Sequence, residues 1–310
     1  MGTFSRRRRK RRVPDPDEIV TSQPFADRLR IQSAERIPGR KEYRRSALSV
    51  TADDGRRFKL RLCASTTQAR AIEKLALAIP GVLPAFFGRE GRYLLFEWLE
   101  GYRLMDESSL ALHARGLGRM CATVNQHGAA PGPLGRISRK LESLRTVRDF
   151  RRELDLLRRL QWIDEGVHEH LGELFGAGLR ECGTPIRLEL RDLHLGNLML
   201  NEAGDLRYVD ELGLGQCLRG LGVGKLLGRT GRAVHWHAFR EGYSEVADAS
   251  ALTPEYFHFV RIIAGVHAAA NKAHDDTQRR KLESVLESLG EASVGQLGDI
   301  LGSDEQRPLG

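Results

Sequence analysis

Apolar and polar positions in this chain follow a period of two over the first third and a helical period over most of the rest. Ser46 to Thr51 alternates as a strand, and Asp53-Asp54-Gly55 is a hairpin signal. Arg57 to Cys63 is the return strand, with Phe58, Leu60 and Leu62 on one face and Lys59 and Arg61 on the other. A helix follows. Ser65-x-x-Gln68 has the form of a capping box, Ala71, Ile72, Leu75, Leu77 and Ile79 form an apolar side, and Pro80-Gly81 ends it. Two more strands, Leu83 to Phe87 and Arg92 to Trp98, flank the turn Gly88-Arg89-Glu90-Gly91. Together these predict a small antiparallel sheet with one helix. Ahead of it, residues 1–22 read as a disordered lead broken by Pro14 and Pro16, with Pro24 just beyond. Residues 26–37 read equally as a short helix or a first strand, and Gly39 opens a turn.

After Gly101 the spacing is helical near 108–127, 138–161, 165–178, 233–246, 254–273 and 277–289. The main interruption is Leu188 to Leu212, which reads as strand, polar loop, short strand, tight turn at Glu202-Ala203-Gly204-Asp205, and a strand ending on an acid. The glycine-rich stretch from Gly213 to Lys225 reads as a flexible segment. The fold class predicted is α+β, with an N-terminal lobe over 23–100, a helical C-terminal lobe over 101–310 and a basic tail over 1–22.

Composition narrows this further. No apolar run approaches 18 residues, so no transmembrane helix is expected. The four cysteines are scattered without a C-x-x-C pair, which argues for a reducing compartment and against a zinc site. The net charge of +8 points first to nucleic acid or an anionic surface. Seven of those charges lie in Arg6 to Arg12, however, and the remainder of the chain is nearly neutral. That run reads as a solvated extension, or as a weak contact to an anionic membrane or to nucleic acid. Val13-Pro14-Asp15-Pro16 stands where a twin-arginine signal needs an apolar stretch. The expected location is cytoplasmic, or peripheral at the inner membrane face.

The chemistry concentrates in the interruption. Asp192 and Asn197 share one loop, and Asp210 ends the strand that follows. Hard oxygen donors suit Mg²⁺, and an Asn and an Asp supply two of them; a further Asp suits an attacking hydroxyl whose proton must be accepted. Phosphoryl transfer needs mainly such positioning and charge neutralisation. Elsewhere, Gly213 to Lys225 fails as a Walker A loop, because Leu226 occupies the Ser/Thr position. His168-Glu169-His170 and His235-Trp236-His237 lack metal-ligand spacing and read as ordinary helix residues.

Leu190-Arg191-Asp192-Leu193-His194-Leu195-Gly196-Asn197 and Asp210-Glu211-Leu212 resemble the catalytic loop and metal acid of the aminoglycoside/choline phosphotransferase family. That resemblance implies a two-lobed protein-kinase-like fold holding ATP and Mg²⁺ between its lobes. It makes Asp192 the base, and Asn197 and Asp210 the metal ligands. Glu97-Trp98-Leu99-Glu100-Gly101 is similar to the family's hinge, which places Glu97 and Leu99 at adenine. Phe58-Lys59-Leu60-Arg61 resembles the kinase pattern V-A-I-K, which puts Arg61 on the phosphates with Glu73 as its acid partner; Lys59 is the alternative clamp. The chain departs from the family at Leu190 and Arg191, which replace a histidine and a glycine, and in a covering loop with Gly39 as its one glycine. Val223 to Leu227 also lacks the aspartate that usually follows the metal acid. The implied activity is ATP-dependent phosphorylation of a hydroxyl on a small molecule, sugar or lipid headgroup. The alternatives are a lipopolysaccharide-core-type sugar kinase at the inner membrane face and a non-catalytic nucleotide-binding pseudokinase.

Overall fold

The computed structural model describes residues 15–37, 47–127, 133–227 and 235–271. The basic run, the Gly39 turn with its covering loop, and the expected helix at 277–289 lie outside them. The chain divides into two compact units, 1–102 and 103–310.

The first unit is a five-stranded antiparallel sheet of β1 (Ile31–Arg36), β2 (Ala47–Ala52), β3 (Arg57–Leu62), β4 (Phe86–Glu90) and β5 (Tyr93–Glu97), in the order β1-β2-β3-β5-β4. Two helices accompany it: α1 (Pro16–Ser22) and α2 (Thr66–Ala78). Helix α1 corrects the expectation of an irregular lead through residue 22. Pro16 stands at the first helical turn, where a missing N–H costs nothing, and Asp15 caps it through Asp17 N–H at 3.1 Å. Ile19 then enters a core with Phe25, Ile31, Leu48, Val50, Phe58, Leu60 and Leu95. The undecided stretch 26–37 supplies β1, not a helix. Ser65 caps α2 as its sequence predicts, accepting from Gln68 N–H at 3.1 Å.

The second unit is mostly helical. It contains α3 (Glu107–Gln126), α4 (Pro133–Arg159), α5 (Glu165–Cys182), α6 (Leu221–Leu227), α7 (Trp236–Ser244) and α8 (Pro254–Asn271). Its strands are β6 (Arg103–Leu104), β7 (Ile186–Leu190), β8 (Leu198–Leu200), β9 (Leu206–Tyr208) and β10 (Leu214–Leu218). They form a β6-β8-β9 sheet and an antiparallel β7–β10 pair. Asp106 and Asp164 cap α3 and α5 through Ser109 and Val167 N–H groups. Helices α3 and α7 approach until their backbones touch: a methyl group on Gly118 would lie 2.0 Å from the Phe239 carbonyl oxygen. One on Gly242 would lie 1.8 Å from that of Arg115. Phe150 and Phe175 stack at 3.9 Å, and Trp236 and Phe257 at 4.2 Å, filling the helical core. No described helix is long and apolar enough to cross a membrane.

Candidate active site

Strand β7 carries the chain to the catalytic loop. Ile186, Leu188 and Leu190 are buried, and β10 pairs with it in a register that sets Leu214 opposite Leu190. Arg191 N–H donates to the Gly213 carbonyl at 2.9 Å, so the loop leaves the strand already tied to the segment after Asp210. Leu195–Asn197 form a 3₁₀ turn closed by Asn197 N–H on the His194 carbonyl at 2.9 Å. The hairpin between β8 and β9 is locked by Asn201 and Asp205. Asp205 N–H donates to Asn201 Oδ1 at 2.8 Å, and Gly204 takes φ +85°, as a tight turn here requires.

Asn197 is the hub of the site. Its side-chain Nδ2 donates to the Asp192 carbonyl at 2.9 Å, and its own carbonyl accepts from Val209 N–H at 3.0 Å. One buried residue thereby joins the loop holding Asp192 to the strand delivering Asp210. With Nδ2 committed to the loop, Oδ1 is left as an oxygen donor, which is the atom a hard cation needs. Asp210 opens a second 3₁₀ turn, Glu211–Gly213, closed by Gly213 N–H on its carbonyl at 2.8 Å. Asn197 and Asp210 thus each bring a hard oxygen of the kind magnesium takes to neighbouring segments of one hydrogen-bonded frame. The Asp192 side chain is 55% exposed, and His194 Nε2 stands 3.8 Å from its Oδ2, beyond hydrogen-bond distance.

The flexible segment expected from Gly213 to Lys225 is instead β10 and α6. Gly220 takes φ +77°, while Gly215 and Gly222 allow close approach. A methyl on Gly222 would meet the Leu190 carbonyl oxygen at 2.1 Å, and one on Gly215 would meet Arg191 Nε at 2.5 Å. Helix α6 thus seats directly on the end of β7. Lys225 Nζ donates from it to the Arg191 carbonyl at 3.2 Å. A cation thus anchors the loop that holds Asp192, and burial lowers the pKa of Lys225.

Beneath the loop lies a polar network that the sequence reading missed. Glu189, 2% exposed, accepts at Oε1 from Asn125 Nδ2 at 2.7 Å and from Gly220 N–H at 2.9 Å. Asn125 Nδ2 also reaches the Leu188 carbonyl, and its Oδ1 accepts from Tyr243 Oη at 2.7 Å. Burial raises the Glu189 pKa to about 7, against the pull of its two donors and of Arg219. A glutamate in the apolar run Leu188-Glu189-Leu190 was the available signal, since a buried carboxyl demands partners.

In the first unit, Lys59 and Arg61 lie on central strand β3 and are largely buried, 9% and 5% exposed. Glu73 of α2 accepts at Oε2 from Nε of Arg89 on β4 at 2.5 Å. Glu90, expected in a turn, is the last residue of β4, and its Oε2 accepts from Phe25 N–H at 2.5 Å. Glu97 ends β5, its Oε2 accepting from Ala85 N–H at 3.1 Å and its N–H donating to the Ala85 carbonyl at 2.8 Å. Trp98 carries the Arg57 guanidinium 4.4 Å over its ring. Leu99, two residues past β5, makes no backbone hydrogen bond among the described residues.

No family model matches this chain, and no curated protein matches it in sequence. Solved structures do. A choline/ethanolamine kinase family protein from Mesorhizobium loti is similar at TM-score 0.56 and 15% identity, covering 87% of this chain and 92% of that one. Macrolide 2'-phosphotransferase MphH from Brachybacterium faecium is similar at TM-score 0.55 and 14% identity, over 90% and 99% of the two chains. A spectinomycin phosphotransferase solved with ADP and spectinomycin is similar at TM-score 0.54 and 12% identity, over 96% and 100%. The chain therefore has the kinase-like fold of the choline kinases and antibiotic phosphotransferases, as its two acidic motifs predict.

Proposed function

We propose that this protein is a magnesium-dependent phosphotransferase that moves the γ-phosphoryl group of ATP to a hydroxyl of a small molecule. The observation that carries this reading is the Asn197 hub. Its amide nitrogen is spent on the Asp192 carbonyl and its backbone on Val209, so the Asp192 loop, the Asn197 Oδ1 and the Asp210 strand form one bonded frame. The named activities of the structural neighbours support it, as does the ADP bound in one of them.

Each residue has a role in this reading. Asp192, half-exposed, accepts the proton of the acceptor hydroxyl as its oxygen bonds to the γ-phosphorus; the bridging P–O bond then breaks and ADP leaves. Asn197 Oδ1 and the Asp210 carboxylate hold the metal, which when bound would neutralise phosphate charge. Arg61 supplies the cation for the phosphates, with Lys59 as the alternative clamp and Glu73, which also accepts from Arg89, as the acid partner. The backbone of Leu99, two residues past Glu97 and without a backbone hydrogen bond among the described residues, supplies donor and acceptor groups for adenine.

The test is an ADP-release screen of the purified protein against small amino alcohols, sugars, hydroxylated antibiotics and lipid headgroups. At least one acceptor should raise magnesium-dependent ADP formation well above the rate without acceptor. Absence of magnesium-dependent nucleotide binding would remove the basis of the reading.

A further inference from the structure

Tyr208 ends β9, its side chain is fully buried, and its hydroxyl makes no hydrogen bond among the described residues. The hydroxyl shares the space over Gly213 with Asp210 Oδ2. A methyl group on Gly213 would lie 2.0 Å from Tyr208 Oη and 2.9 Å from Asp210 Oδ2, so both oxygens crowd the same bare Cα. Glycine at 213 is what leaves them room. Tyr208 is therefore a buried hydrogen-bond donor beside the Asp210 carboxylate, with no acceptor engaged among the described residues.

We propose that Tyr208 is a positioning residue for the metal-binding carboxylate: with the cation bound, its hydroxyl donates to Asp210 and fixes the orientation in which the other carboxylate oxygen meets the metal. The inference rests on the magnesium-nucleotide reading above. Carboxylates that ligate metals are themselves hydrogen-bonded, and losing such a partner typically costs about 10–100-fold in metal affinity or activity. It also accounts for an otherwise costly orphan, because a buried hydroxyl left unpaired is destabilising unless some state of the protein uses it.

The experiment compares wild type with Tyr208→Phe in two measurements. The first is the Mg²⁺ concentration for half-maximal binding of a non-hydrolysable ATP analogue, by calorimetry. The second is urea stability without metal. Tyr208→Phe should raise the half-saturating Mg²⁺ by about 10-fold or more, while metal-free stability stays equal or increases. Turnover should recover towards wild type at saturating Mg²⁺. An unchanged Mg²⁺ requirement overturns the proposal, and so does a metal-free destabilisation, which would place the hydroxyl in a structural bond. If the wild type itself binds nucleotide without regard to Mg²⁺, the phosphotransferase reading fails and this inference with it.

Discussion

Glu189→Gln should remove a pH dependence of stability that originates directly beneath the catalytic loop. In the folded protein the Glu189 carboxyl titrates near pH 7, because burial disfavours its charge more than Gly220, Asn125 and Arg219 favour it. Its ordinary value is 4.5. The folded state thus holds this proton after the unfolded chain has released it. The resulting stabilisation is complete below pH 4.5 and is lost as pH rises to about 7, at about 1.4 kcal/mol per pH unit. Across that window the wild type should lose on the order of 3 kcal/mol relative to Glu189→Gln, whose amide mimics the protonated acid without titrating. Gln Oε1 can accept the same bonds from Asn125 and Gly220, and any misfit of its second N–H adds a constant offset, not a slope. The assay is urea unfolding of both proteins at intervals from pH 4.5 to 8, with the stability difference plotted against pH. The other carboxylates cancel in that difference. A difference independent of pH would refute the argument. One that moved in favour of wild type with rising pH would mean that Arg219 holds Glu189 as an anion.

Other substitutions test how the loop and helices are held. Lys225→Met leaves the exposed Arg191 carbonyl without its donor, which should cost about 0.5–1.5 kcal/mol in urea unfolding and lower turnover more than nucleotide affinity. Gly222→Ala drives a methyl into the Leu190 carbonyl oxygen and should displace α6 from the loop. We expect a loss of about 1–3 kcal/mol together with reduced turnover, checked by melting temperature and steady-state rate. Gly242→Ala drives a methyl against the Arg115 carbonyl oxygen, with α3 and α7 already in backbone contact. It should lower the melting temperature by a similar amount of stability while leaving the Mg²⁺ requirement unchanged.

The sequence carried the parts of this protein whose signals are local. The hairpin at Asp53-Asp54-Gly55, the alternation along β3, the Ser65 cap and the two acidic motifs each follow from neighbouring residues, and the fold followed from them. What it hid depends on partners distant in sequence. Pro16 reads as a breaker until Asp15 and the core seat of Ile19 make it the first turn of α1. The glycines from Gly213 to Gly224 read as flexibility, because the Leu190 carbonyl, the Arg191 guanidinium and Val260 that they pack against lie elsewhere in the chain. The same holds for the Glu73–Arg89 ion pair, whose members lie on α2 and β4. Glu189 hides in an apolar strand, and its partners Asn125 and Gly220 come from two other elements.

The central claim is that Asp192 handles the acceptor hydroxyl while Asn197 and Asp210 handle the metal. A direct test compares ATP affinity and turnover for wild type, Asp192→Ala and Asn197→Ala across a Mg²⁺ titration to saturation, using an acceptor from the screen. Asp192→Ala should bind ATP within a few-fold of wild type and lose turnover by about 10²-fold or more, the scale for a positioned proton acceptor. Asn197→Ala should raise the half-saturating Mg²⁺ and lower turnover together, since it removes a ligand and unties the loop. Wild-type turnover in Asp192→Ala would contradict the account.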